Sequence, residues 1–237
     1  ALRSSRSIAS APVFLPLYDT NDLKHIPRPY VNWALVVLNV IIHALVTLNP
    51  VGDIDAAAVS LGVIPSVIDG EKVLPAGYEI VPATGTLITY AFLHGDWMHL
   101  LGNMLFLWVF GDNIEDAVGH VRYVIFYLLC AAGAGMIHVF MHPGSDAPLI
   151  GASGAVAGVV GAYLLLHPRV QVWVLVLMRL PLRLSALWVL GFWVAFQVYN
   201  VVMNSGDNIS WWAHLGGILV GMVLILFMRR RGVPLFD

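Results

Sequence analysis

Charge is what this sequence has least of. Only 11% of its 237 residues are Asp, Glu, Lys or Arg, where soluble domains average roughly a quarter. So few polar groups cannot cover the exterior of a soluble domain of this length, and that class is excluded. Cysteine is nearly absent as well. Cys130 stands alone, which rules out an intrachain disulfide; in its apolar stretch it reads as a small packing residue. The net charge of −2 offers no basic footprint, so no nucleic-acid partner is expected. Internal repeats and low-complexity tracts are missing too. HExxH does not occur, and no acidic residue accompanies His94, His99 and His214. A metal on those imidazoles is therefore a remote alternative, and no cofactor is expected. The opening, Ala1 to Ser10, carries Arg and Ser without an apolar core, unlike a secretory signal; a transit-peptide remnant is the alternative.

What is present is apolar: 59% hydrophobic residues and a mean hydropathy of +0.82. Runs approaching the roughly 20 residues that cross a bilayer fall at about 31–50, 97–111, 121–141, 149–167, 184–203 and 211–228. The expectation is an all-α, multi-pass membrane protein of six transmembrane helices. Six crossings put both termini on one side. Eleven of the twelve Lys and Arg residues then face one compartment, among them Arg122, Arg169, Arg179, Arg183 and Arg229 to Arg231, and only Lys72 faces the other. The positive-inside rule makes both termini cytoplasmic, with a bacterial plasma membrane as the expected location. Residues 1–29 read as a cytoplasmic segment, 30–230 as the membrane domain and 231–237 as a short cytoplasmic tail. Between the first two spans runs a long loop, Gly52 to Gly95, with apolar pieces suited to the membrane interface. The nine-residue run Val170–Met178 is too short to cross and is expected to hug the cytoplasmic surface.

Four polar signals interrupt the apolar runs. Intramembrane polar groups are costly, so function is their default reading. With the N-terminus inside, spans two, four and six all run inward. His99 and Asn103 then lie in the first turns of span two, Ser153 near the start of span four and His214 about one turn into span six. At 1.5 Å rise per residue they share a level roughly 5–10 Å below the helix entrances. His99 and Asn103, four residues apart, project from one face and can both donate to an oxyanion. Ser153, between Gly151 and Gly154, is accessible, and backbone N–H groups at Ala152 and Ser153 can join that site. Gly154 with Gly158 and Gly217 with Gly221 are small-xxx-small patterns that let two helices approach closely. Such an approach is what brings a Ser153 hydroxyl within about 3 Å of a His214 imidazole. No carboxylate occurs at this depth, since Asp207 is in a loop, so a dyad is expected and not a triad. Taken singly, each motif has a plainer reading: glycine packing around Ser153, or proton relay at the histidines.

Taken together, His94-Gly-Asp-Trp-Met-His99-Leu-Leu-Gly-Asn103, Gly151-Ala-Ser153-Gly154 and Ala213-His214-Leu-Gly-Gly217 with Gly221 resemble the signature of rhomboid intramembrane serine proteases, over about residues 28–230. The resemblance implies a six-helix rhomboid bundle, Ser153 as nucleophile, His214 as general base, and His99 and Asn103 as oxyanion donors around an outward-opening cavity. It also implies lateral access for substrate between spans two and five, where Trp188, Phe192, Trp193 and Phe196 would form a bulky gate. Glu115 matches a family acidic residue expected to be structural. Two features depart from the pattern. Ala157 stands where many members carry a Tyr that supports the base, which leaves Trp211, one turn before His214, as a candidate support. The Trp-Arg pair of the first loop is also missing, as in a prokaryotic branch.

The expected function is cleavage of peptide bonds in or near transmembrane segments of other proteins, with those substrates and the lipid bilayer as partners. A polytopic factor that binds or moves membrane clients is one alternative, and a proton-coupled transporter relaying through His99 and His214 is another.

Overall fold

The computed structural model describes residues 14–48, 52–177, 179–203 and 210–237. The opening Ala1 to Ser10, Met178 and Asp207 lie outside these residues.

In chain order the elements are β1 (Phe14–Asp19), α1 (Tyr30–Leu48), the short helices α2 (Ile54–Leu61), α3 (Pro65–Ile68) and α4 (Thr86–Thr89), then α5 (Trp97–Val118) and α6 (His120–Met141). They continue with α7 (Ser153–Leu166), β2 (Gln171–Val176), β3 (Leu180–Ser185), α8 (Ala186–Val202) and α9 (Trp211–Met228). Segments without water to bond their peptide groups must satisfy them internally, and helix does so. Among the described residues three helices, α1, α6 and α9, are long and apolar enough to cross a membrane; α7 and α8 are shorter apolar helices of 14 and 17 residues.

The core is built around α7, whose side chains are nearly all buried. Its small residues let neighbours touch backbone. A Cβ added at Gly217 would overlap the carbonyl oxygen of Gly154, and one at Gly221 would overlap that of Gly158. Rising numbers pair with rising numbers, so α7 and α9 lie parallel. The two small-xxx-small patterns meet each other, as expected of such stripes. Cys130 is a free, buried thiol packed against Gly158.

The second apolar helix is longer than its apolar run. α5 continues seven residues past 111 through Asp112, Asn113, Glu115 and Asp116. These polar residues do not end it, because the N-terminal segment supplies partners. Glu115 is fully buried and accepts from the backbone N–H groups of Val31 (3.1 Å) and Asn32 (2.7 Å), unsatisfied donors at the start of α1, and pairs with His120 Nδ1. Asp116 accepts from the backbone of Lys24 (3.0 Å), His25 (2.6 Å) and Ile26 (2.7 Å). Gly119 alone separates α5 from α6, at φ 90°, a left-handed conformation that glycine adopts without steric cost.

The chain is not all-α. The run expected to hug the surface is strand β2, paired antiparallel with β1 on one side and β3 on the other. Its alternation explains this: Val172 and Val174 are buried while Gln171 and Trp173 are not, a two-residue period with β-branched residues inward. Pro181 falls on the outer strand β3, where a missing N–H costs no ladder bond. The connection from α1 to α5 is organised as well. Its Val63 exchanges backbone hydrogen bonds with Leu149 (3.0 and 2.8 Å), and Tyr90, Ala91 and Leu93 are buried.

Basic residues gather where α5, α7 and α9 end. Arg230 N–H donates to Ala117 (2.8 Å), Arg122 reaches the carbonyl of Met228 (3.4 Å), and Lys24 pairs with Asp237 (3.2 Å). Lys72 pairs with Asp146 instead, in the segment between the end of α6 and the start of α7.

Candidate active site

The starts of α5, α7 and α9 carry the polar residues singled out in the sequence. At the start of α5, Asp96 Oδ1 accepts from the His99 backbone N–H (2.8 Å), an N-cap that fixes the first turn. One turn on, Asn103 Nδ2 donates to the His99 carbonyl (3.1 Å). An amide NH2 has two protons, so the second stays available. Gly151 precedes α7 at φ 128°. A Cβ there would stand 2.8 Å from His99 Nε2 and 3.6 Å from Ser153 Oγ. The absent side chain at 151 is therefore what lets the His99 ring lie close to the Ser153 hydroxyl.

Ser153 is the first residue of α7, and no side chain caps this helix. Its first backbone N–H groups thus remain open to an anion, at the positive end of the helix dipole. Ala152 is placed differently: its N–H points at His94 Nε2 over 3.5 Å, a long contact. His94 is buried and meets His99 edge-on, ring centroids 5.2 Å apart. Tyr90 braces the same turn. Its carbonyl accepts from Gly151 N–H (3.0 Å) and its hydroxyl donates to the Ala131 carbonyl (2.8 Å).

His214 lies in the first turn of α9, which Ser210 caps through Ala213 N–H (3.4 Å). The two helix starts are adjacent: a Cβ on Gly154 would be 3.7 Å from the carbonyl oxygen of Ala213. Ser153 Oγ makes no hydrogen bond among the described residues. His214 engages Nδ1 with Gln197 Oε1 at 2.8 Å, so among the described residues Nε2 is unpaired. Ser153 and His214 thus stand at adjacent helix starts with no hydrogen bond between them.

The departure at Ala157 is answered from elsewhere. Trp193 of α8 stacks on the His214 ring (centroids 6.0 Å, planes 28° apart), and Trp211 meets it edge-on (6.0 Å, 90°). Trp211 was the sequence candidate for this contact. Trp193, expected only as part of a gate, and Gln197 were not foreseen in it, nor was Tyr90. A signal for Gln197 existed: it is a buried amide within an apolar helix, and such groups mark partners.

Long apolar helices around a half-buried cluster of serine, histidine and amide groups define an integral membrane protein with a polar site inside its helical bundle. The rhomboid domain model matches residues 83–231, and the chain belongs to the rhomboid family. It is 29% identical to Rhomboid-like protein 11, chloroplastic, of Arabidopsis thaliana (65% of this chain, 55% of that protein). It is 30% identical to Rhomboid protein 1, mitochondrial, of Saccharomyces cerevisiae (61% and 42%). With Rhomboid protease GlpG of Klebsiella pneumoniae the identity is 27% (61% and 48%). The chain spans about half the length of these curated relatives. Two carry organelle names and one is bacterial, so the expectation of a bacterial plasma membrane gains no support from them.

Proposed function

We propose that this protein is an intramembrane serine endopeptidase that cleaves peptide bonds in or near transmembrane segments of other membrane proteins. One observation carries the reading. Gly151 leaves room for the His99 ring beside Ser153 Oγ, at a helix start whose backbone donors are uncapped. Neither a client-binding factor nor a proton relay needs that combination.

In the reaction, Ser153 Oγ attacks the scissile carbonyl carbon while His214 Nε2 takes its proton. The negative charge that develops on the carbonyl oxygen is stabilised by His99, Asn103 and the backbone N–H of Ser153, while the Ala152 N–H, expected among these donors, is turned toward His94. Collapse expels the amine, which receives its proton from His214, and leaves an acyl-Ser153 ester. Water, deprotonated by His214, then releases the acid and restores the hydroxyl. A helical substrate must unwind at the cut to expose its carbonyl. No metal or cofactor enters this scheme.

The residues act within a membrane domain of 30–230, flanked by a segment at 1–29 and a tail at 231–237. α1, α5, α6, α7, α8 and α9 serve as the six crossings. The α1–α5 connection rests in the membrane interface, and both termini lie on the side where Lys and Arg gather. The test is cleavage of a model transmembrane substrate by purified protein in detergent or liposomes. Cleavage should vanish in Ser153→Ala and in His214→Ala, and fluorophosphonate labelling of Ser153 should fail in His214→Ala. Cleavage by Ser153→Ala at the wild-type rate overturns the reading.

A further inference from the structure

An imidazole acts as a base through one nitrogen only when the other holds the proton, and something must keep it there. Serine hydrolases commonly use a carboxylate for this, but an ionised carboxylate buried among apolar helices is costly. Glu115 and Asp116, the acids buried in α5, are already committed near its C-terminal end to the α1 N-terminus, His120 and the 24–26 backbone. At the other end of the bundle, His214 Nδ1 meets a neutral group, Gln197 Oε1, at 2.8 Å.

Turning the amide over would cost a second hydrogen bond. Gln197 Nε2 donates to the carbonyl of Trp193, one turn earlier in α8, at 3.1 Å. That bond directs the oxygen at His214, and a carbonyl oxygen can only accept. The proton must then sit on Nδ1, and the lone pair on Nε2. Gln197 is 2% exposed, so water does not compete for either bond. Trp193 fixes the ring plane from the same helix by stacking.

We propose that Gln197 is the positioning residue of this enzyme: a neutral amide on α8 that holds His214 in the tautomer able to deprotonate Ser153. The proposal rests on the protease reading above. Gln197 touches no substrate in this role. It acts through the imidazole, most strongly when His214 becomes imidazolium in the transition state and its Nδ1–H donates as a charged group.

Gln197→Met keeps the volume but removes the acceptor. Losing a hydrogen bond to a charged group should lower kcat by about ten- to a hundredfold with KM nearly unchanged. Fluorophosphonate labelling of Ser153 should slow by a similar factor, and the Nδ1–H signal of His214 in proton NMR of 15N-histidine-labelled protein should be lost. Gln197→Glu restores an acceptor and should recover most of kcat and that signal. Gln197→Met that cleaves and labels at the wild-type rate overturns the proposal. So does a rise in KM alone, which would make Gln197 a substrate contact. Equal losses in the Met and Glu variants, matched by equally lowered unfolding temperatures, would show a merely structural role and overturn it too. Ser153- and His214-dependent cleavage that is indifferent to Gln197→Met defeats only this proposal. Cleavage that survives Ser153→Ala defeats the protease reading as well.

Discussion

Gly217→Ala is a one-methyl test of whether the α7–α9 seam sets the activity. The added Cβ would overlap the carbonyl oxygen of Gly154 and stand 3.0 Å from its carbonyl carbon and 3.2 Å from the Cβ of Ala157. Those neighbours are backbone or fixed methyl groups of a buried helix and have no rotamer to retreat into. Relief requires the helices to separate by roughly 1.5 Å, the distance back to ordinary van der Waals contact. Two magnitudes compete in stability. Alanine improves helix propensity by about 1 kcal/mol, while overpacking costs about 1–3 kcal/mol, so the net loss should be modest, on the order of 1 kcal/mol. Activity should suffer more. Ser153 is one residue from Gly154 and His214 three from Gly217, so the separation opens between the proposed nucleophile and base, and about 1 Å of misplacement can already cost roughly a hundredfold. The assay pairs kcat/KM on a transmembrane substrate with thermal unfolding in the same detergent. Gly191→Ala, on the open face of α8 with no atom within 4 Å of its Cβ position, is the control and should match wild type in both. A Gly217→Ala variant with wild-type kcat/KM would refute the argument that this contact places the two side chains.

Gly151→Ala should fold yet lose cleavage by about a hundredfold or more, because its φ of 128° and the His99 ring both exclude a side chain; fluorophosphonate labelling and circular dichroism separate the two effects. Glu115→Ala, which strands two backbone donors of α1 in a buried site, should cost about 3 kcal/mol of stability in detergent unfolding, and Glu115→Gln clearly less. The Asp146 carboxyl is held below its usual range by hydrogen bonds from Lys72 and Ser66. A depressed carboxyl pKa adds stability above the unfolded value, roughly 4, and that stability is lost as pH falls through the lower folded value. Hydrogen-exchange protection of the 145–149 amides should therefore fall below about pH 4, and Asp146→Asn should remove that transition.

Much of the molecule could be read along the chain because the relevant signals are local. Scarce charge and six apolar runs dictate a membrane protein; glycines four residues apart mark a close helix contact; Ser153, His99, Asn103 and His214 stand out as polar groups in apolar surroundings. The residues from 171 to 185 show where a local reading stops. An apolar run of nine gives no direction until β1, from the far end of the chain, pairs with it. The polar end of α5 misleads for the same reason, since, His120 apart, the groups that satisfy Glu115 and Asp116 lie more than 80 residues earlier. The support of His214 was likewise settled only by folding. Ala157 leaves the imidazole without its usual neighbour, and Gln197 and Trp193 reach it from another helix. Sequence determined which side chains are too costly to leave alone in an apolar bundle. Tertiary structure decided which partners relieve that cost, because a hydrogen bond depends on distance and direction in space, and neither is written in the spacing along the chain.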